Sequence, residues 1–155
     1  MKHRPRLVVS GGQTGADKAG LVAAYHCGIK TGGYAPLGYR TERGPDLTLA
    51  STYGLTELST VNYFDRTQKN ILAADATIIF STKRSSPGTR ATYRLCSEIN
   101  KPFILLDPDM HEAYAVRYFL NLHKPDILNV AGNRESKSPG IFDRVCQILI
   151  EVFTR

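Results

Sequence analysis

Glycines set between an apolar run and a helix-forming stretch are the residues of this sequence best suited to chemistry. Ser10-Gly11-Gly12-Gln13-Thr14-Gly15-Ala16-Asp17 follows the apolar run Arg6-Leu7-Val8-Val9. It precedes a segment in which Ala16, Ala19, Gly20, Ala23, Ala24 and Cys27 recur at helical steps. A strand that turns into a helix through such a loop aims backbone N–H groups and the positive end of a helix dipole at one point, a cradle for an anion. The spacing is that of a dinucleotide-binding fingerprint with Ser10 in the place of the first glycine. Gly12 would then admit a phosphate and Gly15 would allow close helix packing. The other reading of the same glycines is a tight turn that serves packing alone. The second strand ends at Gly32-Gly33-Tyr34 with no acidic residue to hold a ribose hydroxyl, which argues against a dehydrogenase, and the Lys-Ser/Thr pair of a P-loop is missing.

Two further polar loops follow apolar runs. Ser85-Ser86-Pro87-Gly88-Thr89-Arg90 offers hydroxyls, backbone N–H groups and a guanidinium for a second anion cradle, or else a plain helix cap by Thr89. The stretch from Asn129 to Ser138 brings Asn133, Arg134, Ser136 and Lys137 after another run. Arg66 and Asn70 are four residues apart on the helix predicted between Asn62 and Ala74 and share a face, where they either reach a ligand or form a surface pair, or Asn70 bonds a neighbouring loop. No His/Cys/Asp spacing suits zinc, so no structural metal is expected.

The elements that must position these loops alternate. Apolar runs at Arg6–Ser10, Ala76–Ser81, Phe103–Leu106 and Ile127–Gly132 read as strands, with helices between them. Ala91, Leu95 and Ile99 mark one helix, and Ala113, Val116 and Leu120 the next. The last helix carries a stripe of Ile141, Val145, Ile148, Leu149 and Val152, with Ser138 as N-cap and Pro139 in its first position. Strands apolar throughout and alternating with helices predict a parallel sheet covered on both faces. The expected fold is therefore α/β, a doubly wound, Rossmann-like three-layer sandwich with a mostly parallel sheet of about five strands. Ile29–Tyr34 is expected to add a short strand, and the chain from there to Thr60 to form a long Gly/Pro-containing loop of functional type.

Composition sets the bounds. At 155 residues, 42% apolar and 22% charged, the chain fits one ordinary globular domain spanning 1–155. Cys27, Cys96 and Cys146 lie within apolar helical patterns and read as buried, reduced thiols, and with no signal or membrane segment the expected compartment is the cytoplasm. A net charge of +6 admits nucleic acid, a membrane surface or an acidic small ligand. The cations form no run and no basic helix, and many fall in the loops, including Arg40, Arg43, Lys83, Arg84, Arg134 and Lys137. That placement favours a small anionic ligand or a merely solvated surface over nucleic acid or a membrane.

As a set, Gly11-Gly12-Gln13-Thr14-Gly15-Ala16-Asp17, Gly32-Gly33-Tyr34-Ala35-Pro36-Leu37-Gly38, Leu55-Thr56-Glu57, Arg66-Thr67-Gln68-Lys69-Asn70, Asp75-Ala76-Thr77, Gly88-Thr89 and Leu128-Asn129-Val130-Ala131-Gly132 are more specific than any one of them. In order and spacing they resemble the putative molybdenum carrier family, a circularly permuted branch of the SLOG superfamily that includes the lysine-decarboxylase-like proteins. The resemblance runs from about Leu7 to Phe153.

The resemblance implies a Rossmann-like sheet, homo-oligomers, and a pocket built by the first glycine-rich loop and the later Gly-Thr loop. It also implies a phosphorylated ligand with a flat heterocycle, either molybdenum cofactor, which is a phosphorylated pterin, or a nucleotide derivative. On this reading Gly11, Gly12, Gln13, Thr14, Gly15, Gly88, Thr89 and Arg90 would hold phosphate. Asp17 would cap the first helix or bond a polar group of the ligand, and Gly32, Gly33, Tyr34 and Pro36 would form the wall beside Arg66 and Asn70. The function expected is that of a carrier or sensor. The alternative is a nucleotide N-glycosidase of the phosphoribohydrolase type. Those relatives carry Gly-Gly-x-Gly-Thr-x-x-Glu, whereas Gly88-Thr89 here lead to Arg90, Ala91 and Thr92. A carboxylate would have to come from Glu57 or Asp17.

Overall fold

Apolar runs become the inner strands of a parallel sheet in the computed structural model, which describes residues 2–82, 86–110 and 112–154. The elements are, in chain order, β1 (Leu7–Val9), α1 (Ala16–His26), β2 (Lys30–Gly32), β3 (Tyr34–Ala35), β4 (Arg40–Thr41), β5 (Gly44–Pro45), α2 (Thr48–Ser51) and β6 (Thr56–Glu57). They continue with α3 (Tyr63–Ala73), β7 (Ala76–Phe80), α4 (Pro87–Ile99), β8 (Phe103–Leu106), α5 (Ala113–His123), β9 (Ile127–Gly132) and α6 (Ile141–Phe153). The main sheet runs β2-β1-β9-β7-β8 and is parallel at every junction. The expected α/β, Rossmann-like architecture is thus present, with β9, the last strand in sequence, at its centre.

Side chains sort by strand parity, as successive residues of a strand face opposite sides. Val8, Ile78, Phe80, Leu128 and Val130 pack with α1, α5 and α6 in one core, through Ala19, Val116, Leu120, Val145 and Leu149. Ile79 packs on the other face with Ile71 of α3 and Leu95 and Cys96 of α4. Crossovers that leave the sheet centre in opposite directions must place their helices on opposite faces to keep one hand. Accordingly α1, which links β1 to β2, and α4, which links β7 to β8, lie in different layers. On α1, Gly20 lets the helix lie against β9, for a Cβ there would stand 2.6 Å from Val130 Cβ.

Several sequence expectations change. The strand expected at Ile29–Tyr34 is broken at Gly33 (φ +120°), where a Cβ would fall 2.5 Å from Ser10 O. β3 leaves the main sheet there and pairs with β6. The long loop expected after it is instead a set of short elements around a small core of its own, formed by Leu21, Ala35, Leu49 and Leu55. Helix α6 does not start at Ser138 and Pro139. It begins at Ile141 after Gly140 (φ 88°), because Glu135 Oε2 accepts from Gly140 N at 2.6 Å and Oε1 from Phe142 N at 3.1 Å, so a carboxylate from upstream holds the first turn. On α4, Leu95 and Cys96 are buried while Ala91 is exposed, and the N-cap is Ser86, whose Oγ accepts from Thr89 N at 3.3 Å, rather than Thr89. Cys27 closes α1 half-buried, whereas Cys96 and Cys146 are buried as expected. Ser85, with which the second polar loop opens, and the loop cations Lys83 and Arg84 lie outside the described residues.

Candidate functional site

A cleft of about 570 Å³ opens on the face of the sheet that carries α3 and α4. Leu128 and Val130 of β9 point into the opposite core, so Asn129 and Ala131 face the gap between these helices. They form its floor, and Gly132 leads from it to the rim. Walls come from Tyr63, Phe64, Arg66, Thr67 and Asn70 on α3 and from Pro87, Gly88, Ala91, Thr92 and Leu95 on α4. Gly11, Gln13 and Asp17 close one side, and Asn133, Arg134 and Lys137 form the rim after β9.

Arg66 is the central cation, only 9% exposed. Its guanidinium occupies the space where Gly11 lacks a side chain, for a Cβ at Gly11 would lie 2.4 Å from Arg66 Cδ. Arg66 Nη1 donates to Asp17 Oδ2 at 3.1 Å, which also accepts from Gln13 N at 3.2 Å. Burial pushes the Asp17 carboxyl above its ordinary range, and the charge of Arg66, the Gln13 N–H and the charge of Arg134 only partly offset it. Arg66 Nε has no hydrogen-bond partner among the described residues and no exposure. Tyr63 lies under this charge, its ring centroid 5.2 Å from Arg66 Cζ and 6.0 Å from Arg134 Cζ.

Opposite, the first turn of α4 is held by buried hydroxyls. Thr89 Oγ1 lies 2.9 Å from Ser81 Oγ, 2.7 Å from Ser86 Oγ and 3.2 Å from Asn133 Nδ2. Gly88 has nothing within 4 Å of where a Cβ would stand, so the turn is open at that point.

Of the residues singled out from the sequence, Gly11, Gln13, Asp17, Arg66, Asn70, Ser86, Pro87, Gly88, Thr89, Asn133, Arg134 and Lys137 line this one cleft. The remaining ligand candidates stand elsewhere. Gly12 (φ 77°) backs onto Leu49, 2.6 Å from a Cβ, and Gly15 onto Asn133 O at 2.4 Å, so both serve close packing. Thr14 Oγ1 donates to Glu42 and accepts from Glu135 N at 3.2 Å. Gly32, Gly33, Tyr34 and Pro36 follow the chain behind α3, where Tyr34 N donates to Asn70 Oδ1 at 2.9 Å. Arg90 points away on α4, and Glu57 is exposed in β6, accepting from Gly38 N at 2.6 Å. Thr92 stands in the wall at the position where the hydrolase pattern wants its acid, and Asp17 is the one carboxylate among the lining residues.

Sequence reasoning missed Tyr63, Phe64 and Thr67, although Tyr63 and Thr67 sit three residues before and one after Arg66, so the Arg66/Asn70 stripe extended by one turn would have found them. It also missed Glu42. That carboxylate accepts from Thr14 Oγ1, Ser136 Oγ and Ser136 N (3.1 Å), so the β4–β5 hairpin ties the glycine-rich loop to the rim. No sequence signal marks it. Among the described residues no group of three His, Cys, Asp or Glu side chains could hold a metal, and no helix is long and apolar enough to cross a membrane.

A parallel α/β sheet with a cation-bearing cleft at the carboxyl end of its central strand defines a Rossmann-like fold. Residues 8–153 match the model of the circularly permutated YpsA SLOG family, and the chain belongs to that family. It is also similar to a solved structure, a putative molybdenum carrier protein from Syntrophus aciditrophicus SB, at 34% identity with a TM-score of 0.90, over 100% of this chain and 98% of that one. Comparison with curated proteins finds no match.

Proposed function

We propose that the protein is a small-molecule carrier or sensor that holds a phosphorylated, nucleotide-like or pterin ligand in the cleft between α3 and α4. The observation that carries this is Arg66, a guanidinium that lines the cleft, pairs with Asp17 through Nη1 and carries a charge that favours an oxyanion in the cleft. Arg134 and Lys137 at the rim and the open first turn of α4 add positive potential beside it. A volume of about 570 Å³ lies within the roughly 300–1,000 Å³ usual for small-molecule sites. Molybdenum cofactor, a phosphorylated pterin, fits this donor set as cargo, and the name of the similar solved structure points the same way. Its phosphate would lie against Arg66 and the first turn of α4, and Tyr63 offers a ring face beside it.

Mass spectrometry of small molecules released from gently purified protein tests the reading. A phosphorylated pterin or nucleotide is expected. Equilibrium dialysis with adenosine 5′-monophosphate (AMP) should then show a loss of about ten- to a hundredfold in Arg66→Lys, since a lysine cannot supply the forked donors. Unchanged affinity would sink the reading. A hydrolase would have to use Asp17, which is already bonded to Arg66 and Gln13 N, and free base released from AMP and lost in Asp17→Asn would establish that alternative. The proposal extends to a cytoplasmic homo-oligomer. In its support, Tyr114, Tyr118 and Leu122 form an exposed apolar stripe on α5 of the kind that interfaces cover. Sedimentation velocity reads the oligomer directly.

A further inference from the structure

Most polar side chains lining the cleft have spent their hydrogen bonds within the protein. Asn70 accepts from Tyr34 N and donates to Tyr34 O and Arg66 O, and Asn133 accepts from Thr82 N and donates to Thr89 Oγ1. Asn129 has not. It stands on the floor, 2% exposed, and makes one bond, from Nδ2 to Thr77 Oγ1 at 3.3 Å on the neighbouring strand. Its carbonyl oxygen and second N–H have no partner among the described residues.

That placement is unusual for a central strand of a parallel sheet, whose buried positions are ordinarily apolar. Ile79, on the same face of β7, packs in the apolar core with α3 and α4. Ala131, two residues beyond Asn129 on the same face, is small, so the cleft continues down the strand to the amide. From Gly132 at the rim to Asn129 is three strand residues, or about 10 Å at roughly 3.3 Å each. A nucleoside monophosphate whose phosphate sits at the rim spans that depth and brings its ring to the floor.

Resting on the reading of the cleft as a phosphorylated-ligand site, we infer that Asn129 is the specificity-determining residue for the ring. It pairs with a flat heterocycle that presents a hydrogen-bond donor and an acceptor at neighbouring positions. A carboxamide offers one acceptor and one free donor side by side, the complement of the lactam edge of guanine or a pterin and of the amidine edge of adenine. Thr77 is a positioning residue. By engaging one N–H it turns the other, with the carbonyl oxygen, toward the cleft.

The test uses the full chain with four probes in calorimetric titrations: AMP, guanosine 5′-monophosphate (GMP), purine riboside 5′-monophosphate, which lacks the exocyclic group, and ribose 5-phosphate, which lacks the ring. Wild-type protein should bind AMP or GMP at least about tenfold more tightly than purine riboside 5′-monophosphate, the effect of one hydrogen bond. Asn129→Leu should abolish that preference and leave ribose 5-phosphate binding unchanged. Thr77→Val should weaken the preference by about threefold without altering ribose 5-phosphate binding. The ligand-side comparison on wild-type protein stands even if Asn129→Leu folds poorly. Equal affinities for all three nucleotides, or equal loss for ribose 5-phosphate in Asn129→Leu, overturn the inference while leaving the phosphate site intact. Failure of wild-type protein to bind any of the four overturns the phosphate site and this inference together.

Discussion

Asn133 Nδ2 donates to Thr89 Oγ1 at 3.2 Å, which binds the chain after β9 to the first turn of α4 across 44 residues of sequence. The same side chain accepts from Thr82 N at 2.9 Å, and its backbone carbonyl accepts from Ala16 N at 3.1 Å. One residue thus couples the loop after β7 and the starts of α1 and α4, the segments that border the cleft. Asn133→Ala leaves the Thr82 N–H and the Thr89 hydroxyl short of a partner, and urea unfolding should register a loss of about 1–3 kcal/mol. Asn133→Asp keeps the acceptor for Thr82 N but loses the donor, so it should recover only part of that loss.

Gly11 and Gly12 are neighbours with different roles, and substitution should separate them. Alanine at Gly11 meets the side chain of Arg66, which can move, so Gly11→Ala should weaken AMP binding at least tenfold with modest loss of stability. Alanine at Gly12 meets Leu49 and Leu55 and demands a positive φ, so Gly12→Ala should lower stability by about 1–3 kcal/mol and lower affinity only through unfolding. Calorimetry for the ligand and urea midpoints for the fold read the two effects apart. Equal behaviour in both would mean that Gly11 makes no room for a functional arginine.

The layered sheet was legible because periodicity states it: Ala76–Phe80 and Ile127–Gly132 are apolar enough to be central strands. Half of the candidate site was legible for a related reason, since loops that follow such strands converge at one sheet edge. The rest depends on contacts between segments distant in sequence. Nothing around Gly12 or Gly15 tells a phosphate cradle from a packing contact, because the neighbours that decide it are Leu49 and Asn133. The start of α6 is set by Glu135, and the rim by Glu42, each a carboxylate whose partners lie in another loop or turn. Asn129 reads as one polar residue in a strand until its register beside Thr77 is known.

The three thiols should differ in order of reaction. Cys27 is half-buried, whereas burial pushes Cys96 up to about 11 and Cys146 up to about 12. Reaction requires thiolate and access, so an aromatic disulfide reagent at pH 8 should label one thiol per chain before the others, and mass mapping should place it at Cys27. Urea should make all three react together. Early labelling at Cys96 or Cys146 would mean that α4 or α6 opens locally below the global unfolding free energy.

Two carboxylates should tilt stability in opposite directions with pH. Asp17 has a folded value raised above its ordinary 3.8, chiefly by burial, so the folded state binds its proton more tightly than the unfolded chain does. Its contribution is complete below about 3.8 and is lost as pH rises through the raised value. Glu42 behaves in the reverse sense. Burial works against its charge, but hydrogen bonds from Ser136 and Thr14 and the charge of Arg134 hold it below its ordinary 4.5. Its contribution is therefore present above about 4.5 and is lost as pH falls through the lowered value. Because Glu42 is partly open to solvent, screening keeps its share to about 1 kcal/mol or less. Urea midpoints between pH 3 and 7 should show Asp17→Asn removing a decline on the alkaline side of that range and Glu42→Gln removing a decline on the acid side. If Asp17→Asn instead steepens the acid decline, Asp17 is held as a carboxylate by Arg66, and the buried pair is an ion pair throughout the range.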